Sequence, residues 1–295
     1  MYEFKNYHPI VNFIYFLFVI GFSMFFMHPV CLLVSFFSAH IYFMLMKGAK
    51  QTAKRILYTL PLFLAAALIN PAFNHAGVTV LTYFPNGNPL TEESIFYGAF
   101  AAALLLSVIC WFSCFNEVMT SDKYMYLFGK IVPSLSLVFS MTLRFVPAFI
   151  KELKEVSNAQ RTFGCDVSNG TLISRAKSRL TVLSVMITRA LEGAVEAADS
   201  MRARGFNTGK RSAYSNYVFT KRDLSLLIFI LFSGLYTLIA AMTGYMHFRF
   251  FPSVKGAPFT LYGLSGFAAF SLLCLCPVFI ELWEDRKWKV LKSKM

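Results

Sequence analysis

Residues 171–206 read TLISRAKSRLTVLSVMITRALEGAVEAADSMRARGF, a stretch without proline in which Gly193 is the only glycine before Gly205. Apolar side chains recur here in steps of three and four, which is the spacing of one face of an α-helix. They are Leu172, Ala176, Leu180, Leu183, Ile187, Leu191, Ala194, Ala198 and Met201. The pattern predicts one continuous helix over 171–204, on the order of 50 Å long, that is apolar on one side only.

The ends of this helix carry the residue types expected there. The candidate N-caps are Asp166, Ser168 and Asn169. Gly205 and Gly209 are expected to stop the helix. Asp199 and Arg202 lie three residues apart, which predicts an ion pair on the helix surface.

A second helix is predicted upstream, from about 133 to 163, with a bend at Pro147 because proline lacks a backbone donor. Its end is similar to that of the later helix, since Arg161 precedes Gly164 as Arg204 precedes Gly205. Glycine lets the chain leave a helix through a positive φ, and arginine in the last turn suits the negative end of the helix dipole. Two interpretations stay open: these arginines bind acceptors on a partner protein, or they cap their own helices and meet anionic lipid.

Apolar runs of membrane-spanning length flank this pair of helices. The chain is 57% hydrophobic and 17% aromatic, above the roughly 45–50% apolar share of soluble domains, and a spanning helix needs about 20 mainly apolar residues. The runs cover 10–27, 30–46, 56–69, 94–115, 224–245 and 260–282. The fold class predicted is an all-α polytopic membrane protein with about six transmembrane helices plus long cytoplasmic amphipathic helices.

A seventh apolar run, 131–150, is interrupted by Pro133, Arg144 and Pro147. Such residues are tolerated in a span only where neighbours satisfy the groups they expose. If this run also crossed the membrane, the basic segment that follows would lie outside. We therefore expect it to lie along the membrane surface or against other helices.

The distribution of charge predicts the orientation. Lys and Arg number 28 against 15 Asp and Glu, a formal charge of +13, and short cytoplasmic loops carry such an excess. Basic residues concentrate in 47–55, in 151–222 and in the tail from Arg286, whereas 70–93 holds none. Both termini and the basic segment are therefore expected in the cytoplasm of a bacterial-type cell, with the first apolar run retained as a span rather than cleaved as a signal peptide. Three segments result: 1–123 and 223–295 as membrane helices, the latter with a basic tail, and 124–222 as cytoplasmic or membrane-surface helices.

Most other sites are not favoured by the sequence. We find no module for nucleic-acid binding and no metal-ligand spacing, so no metal or nucleic acid is expected. Five of the six cysteines lie in apolar runs and are interpreted as small buried residues. His75, in a loop rich in turn residues, is interpreted as solvated, as are Glu92 and Glu93 at the start of a helix.

The chain also lacks the pattern of an enzyme. It has no glycine-rich phosphate loop with lysine and no paired carboxylates or Ser/His/Asp arrangement, so catalysis by this chain is not expected. A self-contained secondary carrier is the alternative function. Carriers usually show inverted repeats and membrane-embedded acidic residues. The sequence shows no repeat. The acidic residues that come nearest to a membrane position are Glu117 and Glu281, which lie close to the ends of spans.

The two helix ends, Arg161-Thr162-Phe163-Gly164 and Arg202-Ala203-Arg204-Gly205-Phe206, resemble the paired Ala-Arg-Gly motifs of a known family. This is the transmembrane T component (EcfT/CbiQ-like family) of energy-coupling-factor (ECF) ABC transporters. Three further strings support the resemblance: NPAFNHAG at 70–77, VMTSDK at 118–123 and MTLRFVP at 141–147. The first motif departs from the pattern, because Thr162 and Phe163 stand where Ala and Arg are expected.

The resemblance implies a non-catalytic subunit for vitamin or transition-metal uptake. It would join two ABC-type ATPases, which need not be identical, to a separate substrate-binding membrane S component. ATP and Mg²⁺ would bind the ATPases, and no cofactor would bind this chain. The implied ATPase-docking residues are Arg202, Ala203, Arg204 and Gly205, with Arg161 and Gly164 at the other end. The implied coupling-helix contacts toward the S component are Pro133, Arg144, Pro147, Leu180, Ile187 and Leu191.

Overall fold

A computed structural model describes residues 4–83, 85, 87–129, 132–163, 172–206, 208, 217–256 and 260–293. Within these residues nine α-helices follow a short 3₁₀ turn, Phe4–Asn6. They are α1 (Pro9–Phe25), α2 (Pro29–Lys47), α3 (Ala49–Phe73), α4 (Glu92–Val118), α5 (Ser121–Gly129), α6 (Pro133–Thr162), α7 (Leu172–Ala203), α8 (Lys221–Met242) and α9 (Leu261–Ser293). Two antiparallel hairpins complete the fold, β1 (Val80–Tyr83) with β2 (Pro89–Thr91) and β3 (Phe248–Arg249) with β4 (Lys255–Gly256). The predicted all-α class is confirmed.

Five helices are long and apolar enough to cross a membrane: α2, α3, α4, α8 and α9. Each overlaps one of the predicted runs, although α8 ends at Met242, three residues before the predicted end of its run. The sixth run, 10–27, forms α1, which is apolar but has only 17 residues. Two helices exceed the predicted runs, since α3 starts at Ala49 and α9 continues to Ser293. In both helices the turns beyond the apolar part carry charged residues. The ends of a spanning helix can hold such residues outside the hydrocarbon layer.

The chain divides into two compact units, 1–123 with 217–295 and 124–216. In the first unit, aromatic rings from α1 and α2 contact the fully buried Trp111 of α4. The indole of Trp111 donates to Ser35 Oγ at 3.0 Å, and Ser35 lies 2.6 Å from Ser23 Oγ. Small hydroxyl residues let membrane helices approach closely while their polar groups bond across the interface. This cluster fixes the packing of α1, α2 and α4.

The segment before α1 is packed into the first unit. Phe4 is fully buried, and its backbone N–H donates to Glu281 of α9 at 3.3 Å. Lys123, at the start of α5, donates from its ammonium to the Lys5 carbonyl and is 4% exposed. Burial, and secondly the charge of Lys5, lowers the pKa of Lys123 to about 8. The VMTSDK string at 118–123 thus ends in a lysine that holds the N-terminal segment.

The loop before α4 corrects one prediction. Glu93 is 3% exposed rather than solvated. Its carboxylate accepts from Thr79 Oγ1 at 2.9 Å and from the backbone N–H groups of Thr79 and Val78 at 3.2 and 3.3 Å. Gly77 has a φ of +146°, and a Cβ there would lie 2.6 Å from a Glu93 oxygen. Acidic residues do favour this helix end, but here the loop folds back over the charge and supplies its donors.

The structure also tests the predictions for His75 and for the cysteines. His75 is half-buried and its Nε2 lies 3.1 Å from the Asn88 amide nitrogen, so it is not simply solvated. The five cysteines that the structure describes are free and buried, as interpreted from the sequence: Cys31, Cys110, Cys114, Cys274 and Cys276. Cys165 lies outside the described residues, as do the candidate N-caps Asp166, Ser168 and Asn169.

In the second unit, α6 and α7 pack against each other through Val156, Val182 and Met186. Arg189 of α7 bonds Glu152 of α6 at 3.4 Å, which fixes the register of the pair. Both helices match their predicted bounds of about 133–163 and 171–204 to within one residue at each end, and α6 continues as a helix through Pro147. Residues 133–150 of this run therefore belong to a helix that continues well past them. That the run does not cross the membrane stays a prediction.

Candidate functional site

The end of α7 is a Schellman motif built on Gly205. Gly205 has a φ of +79°, a conformation that glycine adopts without a steric penalty. The Phe206 N–H donates to the Met201 carbonyl at 3.0 Å, and the Gly205 N–H donates to the Arg202 carbonyl at 3.0 Å. This pair of bonds closes the last turn. The predicted stop at Gly205 is confirmed, while Gly209 lies outside the described residues.

The motif holds its basic side chains in solvent. Arg202, Ala203 and Arg204 are all exposed. Arg202 lies 3.8 Å from Asp199, which confirms the predicted pair, but both side chains stay largely exposed and such a pair contributes little. Arg204 has no ion pair among the residues that the structure describes. Its guanidinium is therefore available at the negative end of the α7 dipole.

The end of α6 has different chemistry. Arg161 is exposed in the last turn, and Thr162 Oγ1 donates back to the Ala159 carbonyl at 2.6 Å. Phe163 follows with 84% of its surface exposed. A large aromatic ring thus stands where the α7 end presents Arg204. Gly164 lies outside the described residues, so the structure describes only the first three residues of this motif.

An apolar groove of about 370 Å³ runs between α6 and α7. Its lining residues follow the helical spacing i, i+3, i+4, i+7 on each helix. They are Val146, Phe149, Ile150 and Leu153 of α6, and Leu183, Met186, Ile187 and Ala190 of α7. The groove is therefore a continuous apolar surface within this unit.

The implied coupling-helix contacts lie at different places on α6 and α7. Ile187 lines the groove, whereas Leu180 and Leu191 lie on α7 outside it and are each 64% exposed. Arg144 and Pro147 are exposed on α6. Pro133 begins α6, and its side chain is outside what the structure describes. The groove residues of α6 were missed, although their spacing was readable in the sequence.

The predicted apolar face of α7 is only partly covered by α6. The row through Leu180, Leu183, Ile187 and Leu191 belongs to the apolar side expected from the sequence. The residues buried against α6 are Val182 and Met186, at 5% and 9% exposure, and the predicted row is at least half exposed. The apolar side of α7 is wider than one partner helix can cover. The spacing of three and four identifies the apolar residues of α7 but does not show which of them α6 covers.

The structure thus defines a class: a polytopic α-helical membrane protein whose second unit is a pair of long helices with an open apolar groove and an exposed basic end. Residues 5–215 match the family described as CbiQ, cobalt transport protein. Because this match covers more than two thirds of the chain, the chain belongs to the CbiQ family. The resemblance to the EcfT/CbiQ-like T component is confirmed.

Several curated relatives carry the name energy-coupling factor transporter transmembrane protein EcfT. The protein from Lactobacillus helveticus is 37% identical over 115 residues, which cover 38% of this chain and 42% of the relative. The Staphylococcus aureus protein is 32% identical over 106 residues, 36% of this chain and 40% of the relative. The Brevibacillus brevis protein is 28% identical over 191 residues, 61% of this chain and 68% of the relative. The chain thus spans about two fifths of the length of the first two.

Proposed function

We propose that this chain is the energy-coupling transmembrane subunit of an ECF-type ABC importer. It would link two cytoplasmic ATPase subunits to a membrane S component that binds a vitamin or a transition-metal ion. The chain itself would hydrolyse no nucleotide and bind no cofactor, because ATP and Mg²⁺ would be held by the ATPases. Family membership supports the general role, and the geometry of the second unit supports the division of labour.

The end of α7 carries this proposal. The Schellman motif at Gly205 keeps Arg204 exposed at a fixed position of a rigid helix end. A guanidinium without an ion pair in the described chain suits a carboxylate or a cluster of carbonyl oxygens on another protein. We propose that Arg202, Ala203, Arg204 and Gly205 enter a groove on one ATPase.

The α6 end would contact the second ATPase through another chemistry. The exposed Phe163 ring offers apolar area, and Arg161 offers a charge two residues before it. Burying an aromatic side chain on association contributes through the apolar area removed from water. Two unlike ends suit two non-identical ATPases.

Coupling would follow from the packing of the two helices. Arg189 with Glu152, and the contact of Val156 with Val182 and Met186, tie α6 to α7. ATP-driven closure of the ATPases would move the two ends, and the open apolar groove would pass this motion to the S component. A motion does work only if the contacts differ between the two states of the ATPases.

Co-purification from membranes tests the proposal. We expect Arg204→Glu to abolish the recovery of ATPase subunits with this chain, because it places a like charge against the acceptors on the partner. Arg161→Glu should reduce recovery less, since Phe163 would still contribute. Arg179→Glu, an equal charge reversal at an exposed site of α7, is the control and should leave recovery unchanged.

Two results would contradict this function. Equal losses for Arg204→Glu and Arg161→Glu would remove the asymmetry between the two ends. Purification of a stable chain that binds and carries substrate without any ATPase would favour a secondary carrier instead.

A further inference from the structure

A second basic surface lies at the start of α3, in the first unit. A groove of about 550 Å³ is lined by Phe43, Gln51, Lys54, Arg55 and Tyr58. Lys50 is exposed one turn before Lys54. In the described part of the chain, Lys50, Lys54 and Arg55 have no ion pair with a carboxylate. The neighbouring Lys47, in contrast, is paired with Glu117 at 2.5 Å.

Arg55 is held in place before any ligand binds. One of its terminal nitrogens donates to the Ile109 carbonyl at 2.9 Å and to Ser113 Oγ, both on α4. Its guanidinium also lies 4.5 Å from the centre of the Phe43 ring. The remaining N–H groups are therefore oriented with little further loss of side-chain entropy.

Along α3 the chemistry changes in a fixed order. Lys50, Lys54, Tyr58 and Leu62 follow one another at steps of four, so they form one stripe. Lys54 Nζ lies 5.9 Å from the centre of the Tyr58 ring, and 72% of the Tyr58 surface is exposed. Leu62 and Ile69 continue the exposed apolar surface. The stripe runs from cations through an interfacial aromatic residue to aliphatic side chains.

This order matches the parts of a phospholipid with an anionic headgroup. Basic residues beside a membrane attract anionic lipids, tyrosine favours the headgroup level, and the acyl chains need an apolar surface. Only 6% of the hydrophobic stretch of α3 is buried inside the protein, which leaves such a surface next to the cations. A free phosphate would use the cations alone.

We propose that Lys50, Lys54 and Arg55 bind the phosphate of an anionic phospholipid whose chains lie along α3. This site is independent of ATPase docking. It would hold α3 against α4 through Arg55, so that a bound lipid stabilises the first unit.

Native mass spectrometry of the full chain in detergent, with any subunits that co-purify, tests the site. The probe is phosphatidylglycerol, and phosphatidylcholine with the same acyl chains is the neutral comparison. We expect the chain to retain phosphatidylglycerol preferentially.

Each cation removed should weaken the association about fivefold, from about 1 kcal/mol per basic residue. The double variant Lys50→Gln, Lys54→Gln should thus bind about 25-fold more weakly, and its side chains are exposed, so it should fold. Lys289→Gln, Lys292→Gln removes two cations from α9 and is the matched control.

Two further arms separate the possible occupants. An excess of inorganic phosphate should leave lipid retention unchanged, and a photo-crosslinker at Tyr58 should capture lipid in membranes. Displacement by phosphate, crosslinking of Tyr58 to another protein, or equal losses in the double variant and the α9 control would each overturn the proposal.

Discussion

Single residues decide how the exposed helix end is built, and Gly205 is the clearest case. Its φ of +79° lies in the left-handed region, which costs other residues about 1–2 kcal/mol. A Cβ at this position would also lie 3.2 Å from Thr208 Oγ1. Gly193, in the middle of α7, has an ordinary helical backbone and open space around it. The two glycines of one helix therefore have opposite requirements.

We predict that Gly205→Ala lowers the free energy of unfolding by about 1–2 kcal/mol. Gly193→Ala should raise it by up to about 1 kcal/mol, because alanine is the better helix former. Thermal unfolding of the purified chain in detergent would measure both. A Gly205→Ala variant as stable as the parent would show that the left-handed turn is not required.

Lys123 should make stability depend on pH. Its pKa is lowered to about 8 by burial and by Lys5, whereas an unfolded lysine has a pKa of about 10.4. Between these values the unfolded chain binds more protons, so the free energy of unfolding rises with pH. The penalty for burying the charge is complete below pH 8 and is relieved as the pH rises toward about 10.

Lys123→Met should remove this contribution. We expect the parent to gain stability relative to Lys123→Met as the pH increases from about 8 to about 10, measured as the difference between their unfolding temperatures at each pH. Lys292→Met, at an exposed site of α9, is the control and should show no such change. A constant difference between the parent and Lys123→Met would contradict a buried lysine in contact with the Lys5 carbonyl.

Whole helices were predictable where their apolar pattern is long. The bounds of α6 and α7 follow from proline, glycine and a regular spacing that only a helix satisfies. Long-range partners were not predictable in this way. Glu93 and Lys123 are buried by groups about 15 and 118 residues away in sequence, and no local pattern reports such contacts. Glu93 was therefore assigned to solvent, and the apolar spacing of α7 did not show that Val182 and Met186 are the residues that α6 covers.

At the scale of elements, the groove between α6 and α7 should be a contact surface. We predict that Phe149→Gln with Ile187→Gln abolishes co-purification of an S component while ATPase subunits are still recovered, because a buried amide without partners costs several kcal/mol. Val195→Gln, on α7 but outside the groove and among the exposed apolar residues, is the control and should have a weaker effect. Loss of the ATPases together with the S component would indicate that the second unit had unfolded.

At the scale of the molecule, the proposals depend on the orientation of the chain in the membrane. The five long spans and the shorter α1 give an even number of crossings, provided that 131–150 does not cross. The charge distribution then predicts that the basic segments lie on the cytoplasmic side and the β1–β2 hairpin on the other side. α9 fits this arrangement, because its 33 residues extend about 50 Å and exceed the roughly 30 Å hydrocarbon layer. Near the basic end Lys287 Nζ lies 3.4 Å over the Trp283 ring, a pairing suited to the interface.

Cysteine labelling in intact cells tests this orientation. Exposed positions on the two sides are Tyr83 of β1, Arg179 of α7 and Lys292 of α9. Each would be changed to cysteine after Cys165 is replaced by serine, while the five buried cysteines can stay because a membrane-impermeant maleimide cannot reach them. We expect Tyr83→Cys to react in intact cells, and Arg179→Cys and Lys292→Cys to react only after permeabilisation. Labelling of Arg179→Cys from outside would contradict the predicted cytoplasmic placement of α7, on which the docking of Arg204 to a cytoplasmic ATPase depends. The docking role of α7 would then be wrong, whatever the family resemblance.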